Sequence, residues 1–301
     1  MIHAESEIKN EYKRAKQVAY KVELIDRDGK TIKVFDGTQT LVQPGETVTL
    51  KAAAEVDGLH FWSWGYGYLY TVKTSLWADG KKIDEVATRT GFRKTRFGKG
   101  MIWLNDRVIQ MKGFAQRTSN EWPGVGMSVP AWLSDYSNGL MVEDNANLVR
   151  WMHITPWKQD IESCDRVGLI QAMQAGDAEK DREGRQWGQR TELMRDAIIY
   201  NRNNPSILFY ECGNESISRE HMTLMAAVPS VHVKCLISAK PNMAEKCFIS
   251  IRVNITRCGP WNIVAMKDCA SIGTNTLTPI IRMEKGTILS DPLQPIKSRR
   301  K

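Results

Sequence analysis

The stretch from Asn203 to Ser216, NNPSILFYECGNES, holds the residues best suited to chemistry. Asn-Pro-Ser opens it, the apolar run Ile207-Leu208-Phe209-Tyr210 follows, and Gly213, Asn214 and Glu215 come directly after. A short continuous apolar run bounded by turn residues predicts a strand covered on both faces. In a parallel barrel, reacting groups sit where the strands end. A carboxylate there can serve as a general acid when its pKa is raised, and the amide beside it can both donate and accept hydrogen bonds. Taken alone, the Asn-Glu pair is more simply a turn with a solvated charge. The elements around it decide between the two.

From about Ala15 to Phe97 the pattern is β. Tyr20 to Ile25 alternates, Asp28-Gly29 makes a turn, and Thr31 to Phe35 alternates again before Asp36-Gly37, which predicts a hairpin. Pro44-Gly45-Glu46 precedes the strand Thr47 to Leu50, and Tyr68 to Leu76 forms a long strand closed by Asp79-Gly80. Short strands at this spacing predict an immunoglobulin-like β-sandwich over residues 15–97, after an extension over 1–14. Phe61, Trp62, Trp64 and Tyr66 are expected to pack that sandwich against the next domain rather than to stack on a ligand.

After Phe97 the period changes. Arg107 to Phe114, Asn147 to His153, Val167 to Met173 and the opening stretch read as four strands. Helical segments lie between them at Pro130 to Glu143, Trp157 to Arg166 and Gln189 to Tyr200. Alternating strand and helix implies parallel βα units. The expected fold is thus multidomain, β then α/β: the sandwich, then the first half of a (β/α)8 TIM barrel over 98–222.

Composition marks a break at the end of that segment. The chain has 42 Lys+Arg against 34 Asp+Glu, a net +8, but residues 223–301 hold 12 basic and 4 acidic residues, leaving 30 of each in residues 1–222. The whole charge excess lies in the tail, so it argues for no nucleic-acid function in the body. Cys164 and Cys212 fall before the break and Cys235, Cys247, Cys258 and Cys269 after it; two distant cysteines in the body make neither a disulfide framework nor a thiolate metal site. No cofactor and no metal site is expected. The N-terminus has no apolar signal segment and no run reaches membrane-spanning length, which leaves the location of a longer parent protein open.

With these elements in place, residues from roughly Tyr20 to Met222 resemble glycoside hydrolase family two, the family of β-galactosidases, β-glucuronidases and β-mannosidases. YLYTVKTSL followed by GKKIDEVATRTGFRK is similar to the end of that family's immunoglobulin-like domain and its approach to the barrel. LNDRVIQMKGFAQ resembles the first barrel strand, NLVRWMHITP the strand carrying an Arg and a His, and NNPSILFYECGNES the segment bearing the acid/base carboxylate. The resemblance implies that Glu215 protonates the departing glycosidic oxygen and later deprotonates the attacking water. It implies that Asn214 holds the sugar's 2-hydroxyl, that Arg150 orients the carboxylates, and that His153 contacts a sugar hydroxyl. From residue type alone, Arg150 is also a structural ion-pair partner and His153 a core imidazole. Asn120, Glu121 and Trp122 depart from the family's commoner His-rich loop, which leaves the particular sugar open. The partner implied is a β-glycoside or oligosaccharide, with no nucleic acid and no membrane.

Retaining hydrolysis needs two carboxylates about 5 Å apart. The family's nucleophile is a Glu near the end of the seventh strand, and no residue here matches it; the tail glutamates, Glu245 and Glu284, lie in AEKC and RMEKG. A change of reading frame near Met222 accounts for this. Met225 to Ser230 written ATG GCG GCC GTG CCA TCG and read from the third base gives Gly-Gly-Arg-Ala-Ile. Arg257 to Val264 treated likewise yields text resembling the nucleophile strand, with its Glu codon straddling Trp261 and Asn262. The tail is therefore expected to be an unrelated, disordered, out-of-frame segment, the alternative being a divergent, disordered basic tail. The chain is also expected to lack the sugar-binding jelly roll that usually precedes the sandwich, and to be inactive. The alternative is a non-catalytic carbohydrate-binding or interaction remnant whose only folded part is the sandwich.

Overall fold

A computed structural model of the chain describes residues 1–98, 100–117, 129–174, 180–211, 213–214, 217–232, 235–236, 248–251 and 261–264. The sandwich contains β1 (Ile2–Lys9), β2 (Lys16–Ile25), β3 (Thr31–Asp36), β4 (Thr40–Val42), β5 (Thr47–Ala54), β6 (Tyr70–Ala78) and β7 (Lys81–Thr90). One sheet has the order β3-β2-β6-β7 with β4 also on β2, and the other pairs β1 with β5. Alternate residues of both sheets meet in one core, among them Ile2, Ala4, Val18, Tyr20, Val22, Leu24, Leu50, Tyr70 and Val72. This is the period-two pattern of a half-buried sheet. Residues 1–14, expected to precede the sandwich as an extension, instead supply its first strand. Ile2 pairs opposite Ala54 and Lys9 opposite Thr47, with Ile2 and Ala4 buried and Glu7 and Lys9 exposed.

A small antiparallel sheet, β8 (Thr95–Gly98), β9 (Met101–Leu104) and β10 (Arg107–Ile109), connects the sandwich to the barrel segment. It corrects a second expectation. Arg107 to Phe114 is not one barrel strand: its first part pairs back on β9, with Arg107 opposite Leu104, and the barrel sheet begins only at β11 (Gly113–Gln116). Then come α1 (Ala131–Glu143), β12 (Leu148–Trp151), α2 (Lys158–Val167), β13 (Ile170–Gln174), α3 (Gly184–Asn201), β14 (Ile207–Glu211) and α4 (Arg219–His232). The four strands form one parallel sheet in the order β11-β12-β13-β14. Every residue of β13 and β14 is buried, as expected of strands covered on both faces. Helix α3 starts at Gly184, earlier than the expected Gln189. Helix α4 continues across Met222 to His232, and beyond it the described residues are β15 (Cys235–Leu236), β16 (Phe248–Ile251) and β17 (Trp261–Val264), a short antiparallel set whose β17 lies against β14.

The sandwich grips the barrel sheet from below, at the starts of its strands. Trp62 is fully buried and its Nε1 donates to the Asp165 carbonyl at 2.8 Å, while Trp64 Nε1 donates to the Ala146 carbonyl at 2.8 Å. Thr90 Oγ1 donates to the Asn203 carbonyl and Arg93 Nη2 to the Ile207 carbonyl, at 2.8 and 2.7 Å. Ala146, Asp165, Asn203 and Ile207 all lie before or at the first residue of a barrel strand. Gly168, which ends α2 with φ +76, and Gly67, whose backbone lies against the Arg166 carbonyl, leave no room for a Cβ at this junction. Around Trp62 the two parts share a core of Leu69, Ile102, Leu104, Leu148, Ile170 and Leu208.

Helices α1 and α2 pack through polar bonds. Ser134 Oγ donates to Asp160 Oδ1 at 2.7 Å, Asn138 Nδ2 to Ser163 Oγ at 3.0 Å, and Arg166 pairs with Asp135 at 2.8 Å. Burial pushes the Asp160 carboxyl up to about 6, with the Ser134 bond pulling it back only in part. A folded-state value above the unfolded one stabilises the folded protein below about pH 4, and that contribution is lost as pH rises through 6. We therefore expect Asp160→Asn to gain on the wild type between pH 4 and 7, by up to roughly 3 kcal/mol for a shift of about two units. Urea unfolding at both pH values checks this, and a difference that stays flat with pH refutes it.

Candidate active site

The C-terminal ends of the barrel strands, opposite the sandwich, carry a polar residue on each of three neighbours. Arg150 comes near the end of β12, Gln174 ends β13 and Glu211 ends β14. In register, Arg150 lies opposite Ala172 and Gln174 opposite Glu211. A bulge after Gln171 brings the last pair level. Arg150 Nε donates to both carboxylate oxygens of Glu211, at 2.9 and 3.0 Å, and Gln174 Nε2 donates to Oε2 at 2.5 Å. Arg150 Nη2 then donates to Asn214 Oδ1 at 3.0 Å. Burial pushes the Glu211 carboxyl up, and the Arg150 charge and the bonds from Arg150 and Gln174 oppose that.

This chain of bonds fixes the Asn214 amide. With its oxygen occupied by a guanidinium, the half-buried side chain keeps its NH2 group to donate to a ligand. His153 is half-buried just beyond β12, two residues past Trp151. Three of the four expected site residues thus lie on this rim, Arg150 and His153 at and just beyond the end of β12 and Asn214 just beyond β14, with β13 between the two strands. Of these, Arg150 and Asn214 are joined directly. Glu215 lies outside the described residues, as do Asn120, Glu121 and Trp122.

Gln174 and Glu211 were not among the expected site residues. A usable signal was present: IQAMQ and ILFYE each finish on a polar residue, and NLVRW carries an Arg among apolar residues. A charge placed in a strand covered on both faces requires a partner. A second polar cluster lies on the same rim. Asp181 precedes α3 and His221 is in the first turn of α4, and Asp181 Oδ1 is 2.6 Å from His221 Nδ1. Among the described residues there is no group of three or more His, Cys, Asp or Glu that could hold a metal, and no helix long and apolar enough to cross a membrane.

A β-sandwich seated beneath a parallel barrel sheet, with an arginine, a carboxylate and an amide joined at its strand ends, is the framework of a barrel glycosidase. Family models agree with the geometry: the one for glycosyl hydrolases family 2 matches residues 1–93, and the one for the TIM barrel domain of that family matches residues 96–255, past Met222. The chain belongs to glycosyl hydrolases family 2. It is 29% identical over 221 residues to a beta-glucuronidase of Formosa agariphila, an alignment that covers 73% of this chain and 22% of that one. A beta-galactosidase of Psychromonas ingrahamii is 28% identical over 170 residues, covering 54% of this chain and 16% of its own. Among solved structures, a beta-glucuronidase of glycoside hydrolase family 2 superposes with a TM-score of 0.71 at 27% identity, over 76% of this chain and 24% of that chain. A beta-galacturonidase from Eisenbergiella tayi shares the fold, with a TM-score of 0.64 at 20% identity over 75% of this chain and 41% of its own. The chain thus spans about a quarter or less of the length of the curated relatives named here.

Proposed function

We propose that the chain carries one half of a retaining β-glycosidase site, for a β-galactoside-like or related β-glycoside. Glu215 is its general acid/base. Asn214 donates to the sugar's 2-hydroxyl, a contact that strengthens as the ring gains oxocarbenium character. Arg150 orients Asn214, and His153 supplies a second contact to a sugar hydroxyl. The observation that supports this best is the Arg150–Asn214 bond, which leaves an amide donor at the end of β14 next to Glu215 in the chain. Glu211 does not supply the missing nucleophile: its oxygens are buried and already bonded to Arg150 and Gln174. The chain accordingly binds the glycoside and does not turn it over. We propose further that residues from about 223 onward are translated out of frame; the family model that matches as far as residue 255 argues against a boundary so early, and the natural codons decide the point directly.

The test uses the full chain with 4-nitrophenyl β-D-galactoside and β-D-glucuronide for turnover, and methyl β-D-galactoside for binding by ligand-observed NMR. The expected result is no hydrolysis, together with binding that Asn214→Ala weakens at least tenfold. Hydrolysis abolished by Glu215→Gln would overturn the predicted inactivity while supporting the acid. Binding indifferent to Asn214→Ala would overturn the site.

A further inference from the structure

The segment that leaves β14 and enters α4 is fastened at two points. The first is Asn214, held by Arg150. The second involves Asp181, which comes from the stretch between β13 and α3. Its Oδ2 accepts the backbone N–H of Ser218 at 2.9 Å, and its Oδ1 stands 2.6 Å from His221 Nδ1. The His221 ring in turn lies flat on the indole of Trp187 in α3, with centroids 3.9 Å apart and planes within 10°. Burial pushes the Asp181 carboxyl up, and the bonds from His221, Ser218 and Arg182 outweigh it, so the group stays ionised well below neutral pH.

Helix capping alone does not require this arrangement. Ser218 Oγ already accepts the His221 N–H at 3.2 Å, which is the ordinary side-chain cap of a first turn. Asp181 adds a carboxylate from 37 residues away to the same turn, on the side where a helix favours negative charge. It ties the stretch just before α3 to the start of α4, and Trp187 stacks on the imidazole. The two fastenings bracket the residues between Asn214 and Ser218.

We propose that Asp181 and His221 are a positioning pair that, with Trp187, holds the β14–α4 segment so that Asn214 faces the sugar. The pair does not touch substrate and acts through the backbone it fixes. The inference rests on the assignment of Asn214 as a sugar ligand, so its test has one readout that needs no sugar.

That readout is amide hydrogen exchange of the peptide covering residues 213–221 in the full chain. Asp181→Ala and His221→Phe are expected to speed its exchange about tenfold while β14 is unchanged. His221→Asn places an amide N–H where Nδ1 stands and is expected to recover most of the protection, although it loses the stack on Trp187. The second readout is discrimination between methyl β-D-galactoside and its 2-deoxy analogue, which should shrink in Asp181→Ala and return in His221→Asn. Unchanged exchange in Asp181→Ala overturns the pair. Faster exchange with unchanged discrimination overturns its positioning role. The expected exchange pattern in a chain that takes up no galactoside supports the pair and overturns the sugar assignment instead.

Discussion

Replacing Arg150 with methionine is expected to cost about 3–5 kcal/mol, because it strands the Glu211 carboxylate in the sheet without its cation. The pair is buried, with side-chain exposures of 15% for Arg150 and 2% for Glu211, so solvent screening gives little relief. At roughly 2–4 °C per kcal/mol for a body of this size, the melting temperature should fall by about 10 °C. The double variant Arg150→Met/Glu211→Leu removes both charges and is expected to return to within about 2 kcal/mol of the wild type. Urea denaturation of the three proteins separates this account from one in which only the aliphatic stem of Arg150 matters. On that account the double variant stays as weak as the single one. A loss below about 1 kcal/mol in the single variant, the size of an exposed ion pair, would also refute it.

The second large effect belongs to the junction below the sheet. Trp62→Ala should cost about 3–5 kcal/mol, the usual result of emptying a fully buried indole site. It should also split thermal unfolding into two transitions, since the cavity falls between Leu69 on the sandwich side and Leu148, Ile170 and Leu208 on the barrel side. Trp62→Phe keeps most of the volume and loses the bond to the Asp165 carbonyl, for about 1 kcal/mol and a single transition. Calorimetry distinguishes these outcomes: one cooperative transition in Trp62→Ala would mean that the two parts unfold together without this contact.

Much of the fold was legible because its signals are local. The hairpins turn on Asp28-Gly29 and Asp79-Gly80, and the apolar runs of β12, β13 and β14 are short and bounded. The first strand escaped because Ala4 and Ser6 weaken its alternation and its partner, β5, lies some forty residues away. The break between β10 and β11 escaped because VIQMKGF is apolar enough to pass for one strand; only the pairing of Val108 opposite Trp103 shows the chain turning back. Arg150 and Asn214 follow from a resemblance, whereas the polar ends of β13 and β14 mark Gln174 and Glu211 as needing partners without saying which, because the bonds run across strands. The Asp181–His221 contact joins residues 40 apart in the chain and left no mark in either periodicity or motif.

The row formed by Arg150, Gln174 and Glu211 also bears on how the strands find their alignment. Slipping a strand by one residue moves every side chain to the other face of the sheet. For most apolar strands such a slip exchanges one hydrophobic contact for another, and the penalty is modest. Here a slip in β12 or β14 would strand a guanidinium or a carboxylate among apolar neighbours, and one in β13 would withdraw the amide that bonds Glu211. The same three residues that present Asn214 therefore discriminate against misaligned sheets during folding, a selection that an all-apolar sheet of the same sequence length would lack.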